Sequence, residues 1–517
     1  MPNCFVFAIG GTGSRVLRSL AHLLASGVKP ENDFNIIPII IDPHSSNNQE
    51  LERTERLLGN YRKVRDASKV GDKTNDEQSA DRFFAVNIKT LKDVKNSKDI
   101  NPSFSFKLDG ANMTFKEYIG YSSMTSASKA LANLLFSGSS KNRQGKECDL
   151  LDIEMDIGFV GNPNVGSVVL NQLKNSKPYE AFANAISTTG EDRIFIISSI
   201  FGGTGAAGFP CLLKNIRDGQ DAGCGNGDVL KKTPIGAVTV LPYFKLEPDD
   251  SSPISYADFI AKTKSALYYY ADNVTGNHSV NMMYYIGDNP DGLYENDPGR
   301  GGQKNKSHFV ELASAMAIID FLNEKNGSSH LDCELTGENS YGRAVLPVCK
   351  QLGIRNFDAA SLKFSDFYEN HQKLLATHLT QFALFRKYMV EPAAFDKRAG
   401  KMGWSKEKEM PIDAKIKTDT FYTNFLGAVL EDFAEWIKEL AENQRGFDPL
   451  NMDAADLNLL VKGAPIKTGV FSKGVTYDKF DDCLSKYSRN SFKTKEEMLM
   501  NIFYNATKDI LKEEYNQ

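Results

Sequence analysis

The chain has 517 residues, of which 41% are hydrophobic and 25% charged, a balance typical of soluble globular proteins that excludes collagen-like and wholly disordered chains. Its 61 Lys and Arg residues against 66 Asp and Glu leave a formal charge of -5, so no basic surplus favours nucleic acid or an anionic membrane as a partner. The sequence has no apolar run near ~18 residues and no basic leader at its start, so we expect neither a transmembrane segment nor a signal peptide.

The first part of the chain alternates strand-like and helix-like segments. Apolar strands are predicted at residues 5–9, 36–41, 194–197, 235–241 and 282–286. Apolar residues at helical spacing lie between or after these strands, before Gly27, around residues 212–216, and at residues 256–271 and 308–322. This order, with near-continuous apolar strands, predicts an α/β fold with a doubly wound parallel sheet covered on both faces.

Two regions depart from this alternation. Residues from about 45 to 150 are polar and rich in Lys and Asn, which predicts a large, partly helical insertion between the second and third strands. Later segments at residues 367–388, 420–442 and 495–514 show apolar spacing of three and four, which is typical of helices. We therefore predict an α/β domain over residues 1–330 and a mainly helical C-terminal domain over residues 331–517.

Three glycine-rich turns stand where a predicted strand leads towards a helix. Residues 10–13 read GGTG, residues 161–166 read GNPNVG, and residues 201–207 read FGGTGAA. Ligands bind at the carboxyl ends of the strands in an open parallel sheet, and backbone N–H groups at helix N-termini favour an anion there. No GxxxxGK(S/T) loop is present, and Gly11 and Gly13 only begin a G-x-G-x-x-G pattern. The turns predict a phosphate site built from main-chain donors, with close helix–sheet packing as the alternative for any single turn.

Taken in order, these motifs resemble those of the tubulin/FtsZ superfamily of polymerising GTPases, in a divergent prokaryotic branch. Residues 201–207 are similar to the signature loop GGGTG(S/T)G, and residues 161–166 to the ANPEVG loop that contacts the γ-phosphate. Residues 236–244, GAVTVLPYF, are similar to the strand that leads to the family's ribose-contacting loop. The similarity covers about residues 1–45 and 155–325.

The resemblance implies a cytoplasmic, cytoskeletal GTP-binding protein whose backbone amides hold the triphosphate while Mg²⁺ bridges the phosphates. It also implies self-association into a filament or oligomer, with slow GTP hydrolysis to GDP at the subunit junctions. The nucleotide-binding residues that it implies lie in or directly after the three turns, or after the second strand, and they are Gly10, Gly11, Thr12, Gly13, Ser14, Asp42, Gly161, Asn162, Gly166, Gly202, Gly203, Thr204, Gly205 and Ala206. Asn305, just before the helix predicted at residues 308–322, is a further candidate for a base contact, with a helix cap as the alternative.

Several positions depart from the family's pattern. Ser14 stands where the family has an Asn that contacts guanine, so the choice between GTP and ATP stays open. His44 replaces an acidic residue near the γ-phosphate, and a neutral His does not hold Mg²⁺ as a carboxylate does; the alternative is a surface-loop His. The family's NxDxxD catalytic loop has no match. The candidate carboxylates, acting in trans on the next subunit, are Asp320, Glu324 and Asp332.

Two other functions stay open. A nucleotide-dependent scaffold that binds without hydrolysis, working with partner proteins in membrane remodelling or defence, would account for His44 and the missing catalytic loop. A dinucleotide-binding Rossmann enzyme is the third hypothesis. The seven cysteines and seven histidines show no CxxC or HExxH spacing, so we expect no disulfide framework and no zinc site.

Overall fold

The computed structural model describes residues 1–43, 49–68, 81–95, 100–110, 112–141, 146–159, 161–219, 226–247, 256–275, 279–289, 293–294, 305–325, 359–407, 410–463 and 474–515. Their strands are β1 Asn3–Ile9, β2 Asn35–Ile41, β3 Asn87–Ile88, β4 Ser105–Phe106, β5 Ser139–Lys141, β6 Glu147–Asp149, β7 Arg193–Ser199, β8 Ile235–Val240, β9 Lys245–Leu246, β10 Met282–Ile286, β11 Leu293–Tyr294, β12 Ser361–Leu362 and β13 Gly446–Phe447. Their α-helices are α1 Gly10–Ala25, α2 Gln49–Ala67, α3 Leu91–Lys95, α4 Phe115–Tyr118, α5 Ser126–Leu135, α6 Pro163–Leu170, α7 Lys177–Ala185, α8 Gly203–Asp218, α9 Gly227–Lys232, α10 Tyr256–Tyr270, α11 Phe309–Asn323, α12 Glu369–Val390, α13 Phe395–Arg398, α14 Gly427–Ala441, α15 Tyr477–Tyr487 and α16 Lys495–Glu514.

A parallel sheet of seven strands lies at the centre, in the order β10-β8-β7-β1-β2-β3, with β4 also paired to β2. Every residue of β1 except Asn3, and every residue of β2 and β7, is buried. The helices α1 and α8 follow β1 and β7 directly. The predicted α/β fold with a doubly wound parallel sheet and a helix-rich C-terminal region is therefore confirmed.

The edge of the sheet beyond β2 is built from the predicted insertion. The strand β3 pairs with the start of β2, and β4 pairs with its end. Pro38 lies between these two pairings, at a position where the missing N–H of proline costs no ladder hydrogen bond. Two residues further on, the N–H of Ile40 donates to the carbonyl of Phe104 at 2.8 Å. The insertion thus completes the sheet, in strands too short to be detected by their periodicity.

The two faces of β1 pack against different helices. Phe5 and Phe7 both contact Phe182 of α7, with ring centroids 5.1 and 4.9 Å apart. On the opposite face, α1 approaches so closely that a side-chain carbon added at Gly13 would lie 2.7 Å from the carbonyl carbon of Ala8. Only glycine allows this approach, which fixes the start of α1 against the strand that precedes it.

The C-terminal helices pack onto the sheet domain through α14. Trp436 of α14 is fully buried, stacks on His22 of α1 with centroids 4.9 Å apart, and donates its indole N–H to Ser19 at 3.2 Å. The segment predicted as one helix at residues 420–442 is a π-helical turn, Phe421–Leu426, followed by α14. The helix predicted at residues 495–514 coincides with α16.

A cluster of charges joins α14 to α1 and α2. Asp432 of α14 accepts hydrogen bonds from Nε of Arg18 at 3.2 Å, Nε of Arg53 at 2.5 Å and Nε2 of His22 at 3.0 Å. Arg18 also donates to Glu439 at 2.7 Å, and only 1% of its surface is exposed. Burial disfavours the charge of Asp432, but the His22 hydrogen bond and the two arginines outweigh it and hold the pKa of this carboxyl well below its usual range.

Removal of this one carboxylate tests whether the cluster stabilises the protein. We expect Asp432→Asn to lower the free energy of unfolding by about 3 kcal/mol at pH 7, because buried Arg18 and half-buried Arg53 lose one of the carboxylates that pair with them. Since the folded-state pKa is depressed, the stabilisation is present above the ordinary value of 3.8 and is lost as the pH falls below it. Urea unfolding measures the difference. The matched control is Glu431→Gln on the exposed neighbour, and equal effects of the two variants would contradict the expectation.

Candidate functional site: three glycine turns at one edge of the sheet

The order of the strands changes direction between β1 and β7. From β1 the chain moves to β2 and β3 on one side, and β7, β8 and β10 lie on the other. In doubly wound sheets, ligands bind in the crevice at this switch point, outside the carboxyl ends of the strands. The first glycine turn (residues 10–13) follows β1 and the third glycine turn (residues 202–205) follows β7, so both border this crevice.

The first and third glycine turns are in contact. Gly10 has φ +74, in the left-handed region that favours glycine, and a side-chain carbon there would lie 3.4 Å from Cβ of Thr204. Gly205 packs on the end of β7, where an added carbon would lie 2.6 Å from the carbonyl oxygen of Ser199. The backbone of the first turn therefore lies against Thr204 and close to the backbone nitrogen of Gly205.

The second glycine turn (residues 161–166) joins the other two. A side-chain carbon at Gly203 would lie 3.1 Å from the backbone nitrogens of both Gly161 and Asn162. One at Gly166 would lie 2.8 Å from Cβ of Ala207 and 3.2 Å from the carbonyl oxygen of Gly203. The structure thus brings together all three turns that the sequence predicted, although they are separated by long stretches of chain.

The helices that start in these turns have no side-chain caps at their N-termini. The first turns of α1, α6 and α8 contain no acidic side chain, and no side chain accepts a hydrogen bond at their N-caps, which are Ile9, Asn162 and Gly202. By contrast, Thr125, Thr476 and other hydroxyl residues cap helices elsewhere in the described chain. The positive ends of three helix dipoles, none with a side-chain cap, therefore lie at one edge, an arrangement that favours an anion.

Ser14 is the fifth residue of α1 and is 1% exposed. Its carbonyl accepts a hydrogen bond from the hydroxyl of Thr54 at 3.2 Å, while its own hydroxyl has no hydrogen-bond partner among the described residues. A buried polar group without a partner costs about 1–3 kcal/mol. A ligand that bonds this hydroxyl would recover that free energy.

The remaining predicted binding residues surround the turns. Gly11 is exposed, with no atom within 4 Å of an added side-chain carbon, and Thr12 is half-buried beside it. Asp42 is half-buried directly after β2, whose last residue is in register with Ile9, so it lies at the same edge of the sheet. Ala206 is half-buried in α8. Asn305 is buried four residues before α11. His44 lies outside the described residues.

A buried acid next to α1 was missed by the sequence reasoning. Glu311, in the first turn of α11, accepts the hydroxyl hydrogen of Tyr243 at 2.7 Å and lies 3.8 Å from Nη1 of Arg15. Its carboxylate also accepts the backbone N–H of His308 at 3.1 Å. Burial raises the pKa of Glu311 to about 7, since Arg15 and the hydrogen bonds only partly offset it. The H-x-x-E capping pattern at residues 308–311 was the only sequence signal.

A lysine near the second glycine turn was missed as well. Nζ of Lys262, on α10, donates to the carbonyl oxygen of Gly161 at 2.8 Å. Nothing in the local pattern at residues 256–271 distinguishes Lys262 from Lys264, the other lysine of this helix. Its role depends on packing between segments about a hundred residues apart in sequence.

Two of the candidate catalytic carboxylates, Asp320 and Glu324, lie near the end of α11 and directly after it. Asp320 accepts the hydroxyl hydrogen of Tyr284 at 2.7 Å, and the backbone carbonyl of Glu324 accepts a hydrogen bond from Arg193, the first residue of β7. With seven residues in β7, at about 3.3 Å each, the two edges are roughly 20 Å apart. Glu324 therefore lies across the sheet from the glycine turns of the same chain, and Asp320 lies roughly 13 Å along α11 from Glu311. Asp332 lies outside the described residues.

Neither a metal-binding group nor a membrane-spanning helix is found in the described part of the chain. Among those residues, no group of three or more His, Cys, Asp and Glu side chains could hold a metal ion. Within the same residues, no helix combines the length and apolar character needed to cross a bilayer.

No family model matches the chain, and no curated protein matches it. Among solved structures, it is similar to CetZ2 from Haloferax volcanii in a GTPγS-bound protofilament, with 11% identity, a TM-score of 0.30, and coverage of 62% of this chain and 58% of that one. It is also similar to the TubZ-Bt two-stranded filament, with 13% identity, a TM-score of 0.21, and coverage of 65% and 56%. The chain spans less than two thirds of either protein. Likeness at these TM-scores carries no argument about function, which has to come from the residues of the site.

Proposed function

We propose that this chain is a GTP-binding protein that self-associates and hydrolyses GTP slowly at the junctions between subunits. The observation that carries the proposal is the convergence of three glycine turns, and of three helix N-termini without side-chain caps, at the switch point of the sheet. A single anion needs one such terminus, whereas a polyphosphate uses several at once.

The turns suggest a division of roles. Gly203, Thr204 and Gly205 would bind the α- and β-phosphates through backbone N–H groups, with Gly11 and Thr12 beneath them. The second glycine turn would bind the γ-phosphate. Mg²⁺, when bound with the nucleotide, would spread the phosphate charge, and Asp42 at the same edge is the carboxylate suited to approach it. Ser14 and Asn305 would contact the base.

Hydrolysis in this account needs a second copy of the chain. Glu324 lies roughly 20 Å from the glycine turns, across the sheet, and Asp320 lies one helical turn before it at the end of α11. A carboxylate there can orient water only for a nucleotide held by a neighbouring subunit. Head-to-tail stacking would place the amino edge of one sheet over the carboxyl edge of the next and would continue into a filament if it did not close. The turnover of GTP per molecule should therefore rise with protein concentration.

A mixing experiment tests catalysis in trans. Asp320→Asn removes a candidate carboxylate but leaves the glycine turns intact, and Gly203→Ala disturbs the turns but leaves Asp320 intact. Each variant alone should turn over GTP poorly. A 1:1 mixture should recover up to about a quarter of wild-type turnover, because one junction in four then combines two intact halves. The assay is phosphate release at fixed total protein.

Three results of that assay would count against the proposal. Wild-type turnover by Asp320→Asn would exclude this carboxylate, and absence of recovery in the mixture would exclude catalysis in trans. Nucleotide binding by the wild type with no turnover at any concentration would favour the non-hydrolysing scaffold.

A pair of glycine substitutions tests whether the ligand approaches the first turn. An added carbon meets nothing within 4 Å at either Gly11 or Gly59, so neither Gly11→Ala nor Gly59→Ala should disturb packing. If phosphates lie against residue 11, Gly11→Ala should weaken GTPγS binding by about tenfold, whereas Gly59→Ala, on α2, should leave it unchanged. Calorimetric titration measures both. Equal affinities, with unchanged melting temperatures, would contradict the placement of the phosphates.

A further inference from the structure

Lys262 is the point of contact between α10 and the second glycine turn. It is half-buried, and its Nζ donates to the carbonyl oxygen of Gly161 at 2.8 Å. Gly161 has φ +71, and its backbone nitrogen faces Gly203 of the third turn. A cationic group therefore lies where two of the three turns meet.

The position of Lys262 is set by aromatic packing one turn earlier in α10. Phe259 is buried against Phe201, with ring centroids 4.9 Å apart, and Phe201 directly precedes the third glycine turn. Phe244 also contacts Phe259, at 5.9 Å. Thr263 fastens the same stretch of helix by donating its hydroxyl to the carbonyl of Phe259 at 2.7 Å. Helix α10 thus bridges the third turn, through Phe259, and the second, through Lys262.

Lys262 supplies a full positive charge, which the main-chain donors of the turns do not have. Backbone N–H groups and helix termini supply only partial charges, each equivalent to roughly half an elementary charge per helix. A triphosphate carries more negative charge than a diphosphate, so the last phosphate benefits most from a full positive charge nearby. An ammonium group can serve several acceptors, and a phosphate oxygen is a stronger acceptor than the neutral carbonyl of Gly161.

We propose that Lys262 makes this site select nucleoside triphosphate over diphosphate, its ammonium group binding the terminal phosphate at the second glycine turn. The proposal rests on the proposed function, since it needs a nucleotide in the crevice. It adds a side chain to a site otherwise built from main-chain donors. A purely structural role, in which Lys262 only fastens the Gly161 carbonyl, predicts instead that triphosphate and diphosphate lose affinity equally when the lysine is removed.

The experiment compares three variants of the full chain. Lys262→Met keeps the length of the side chain and removes the charge, Lys262→Arg keeps the charge, and Lys264→Met removes an exposed charge two residues further along the same helix. The probes are fluorescently labelled GTPγS and GDP, and the dissociation constants come from anisotropy titrations at low and high salt. Thermal unfolding of each variant shows that the fold is intact.

We expect Lys262→Met to weaken the binding of GTPγS by about tenfold and that of GDP by less than about threefold. The reason is that only GTPγS has the terminal phosphate that hydrogen-bonds to the ammonium group. In the wild type, the ratio of the GDP dissociation constant to the GTPγS dissociation constant should fall as the salt concentration rises. In Lys262→Met this ratio should not change with salt. Lys262→Arg should retain most of the preference, and Lys264→Met all of it. An unchanged ratio of the two constants in Lys262→Met would overturn the proposal while leaving nucleotide binding in place. Absence of binding by the wild type would instead overturn the proposed function and this proposal together.

Discussion

The close approach of backbone to backbone at the carboxyl edge of the sheet is the constraint on which the rest of the site depends. Gly203 lies against the nitrogens of Gly161 and Asn162, Gly10 lies against Thr204, and Gly205 lies against the end of β7. A side chain at Gly203 would press the second and third turns apart, one at Gly205 would clash with the end of β7, and one at Gly10 would be strained by its positive φ. Because the turns are this close, three helix N-termini without side-chain caps meet at one edge of the sheet, an arrangement suited to an extended anion.

The helix α1 connects this edge of the sheet to the C-terminal helices. The helix α1 begins in the first glycine turn and carries Arg18 and His22 into the cluster around Asp432 of α14. On its way it passes Glu311, whose carboxylate lies between Tyr243 and Arg15. A shift of α1 on ligand binding would therefore be opposed by the C-terminal helices, so the site is held in a preformed shape.

Much of this architecture follows from local sequence. The strand predicted at residues 282–286 and the helix predicted at residues 495–514 match the structure at both ends, because long apolar runs and helical spacing are strong local signals. The meeting of the first and third glycine turns followed from the rule that parallel strands end at one edge, whereas the second turn follows a 3₁₀-helix, Met155–Ile157, and joins them through packing. The sequence could not show β3 and β4, which are too short for periodicity, nor Glu311 and Lys262, whose roles arise from contacts between distant segments. The catalytic roles predicted for Asp320, Glu324 and Asp332 remain predictions.

Amide hydrogen exchange followed by mass spectrometry, with and without GTPγS, tests most directly whether main-chain donors hold the ligand. The account predicts slower exchange on nucleotide addition in peptides that contain residues 10–14, 161–166 and 202–206, with no change in peptides from the amino edge of β7 and β8 at a protein concentration too low for assembly. Unaltered exchange in all three turns at saturating GTPγS would contradict it.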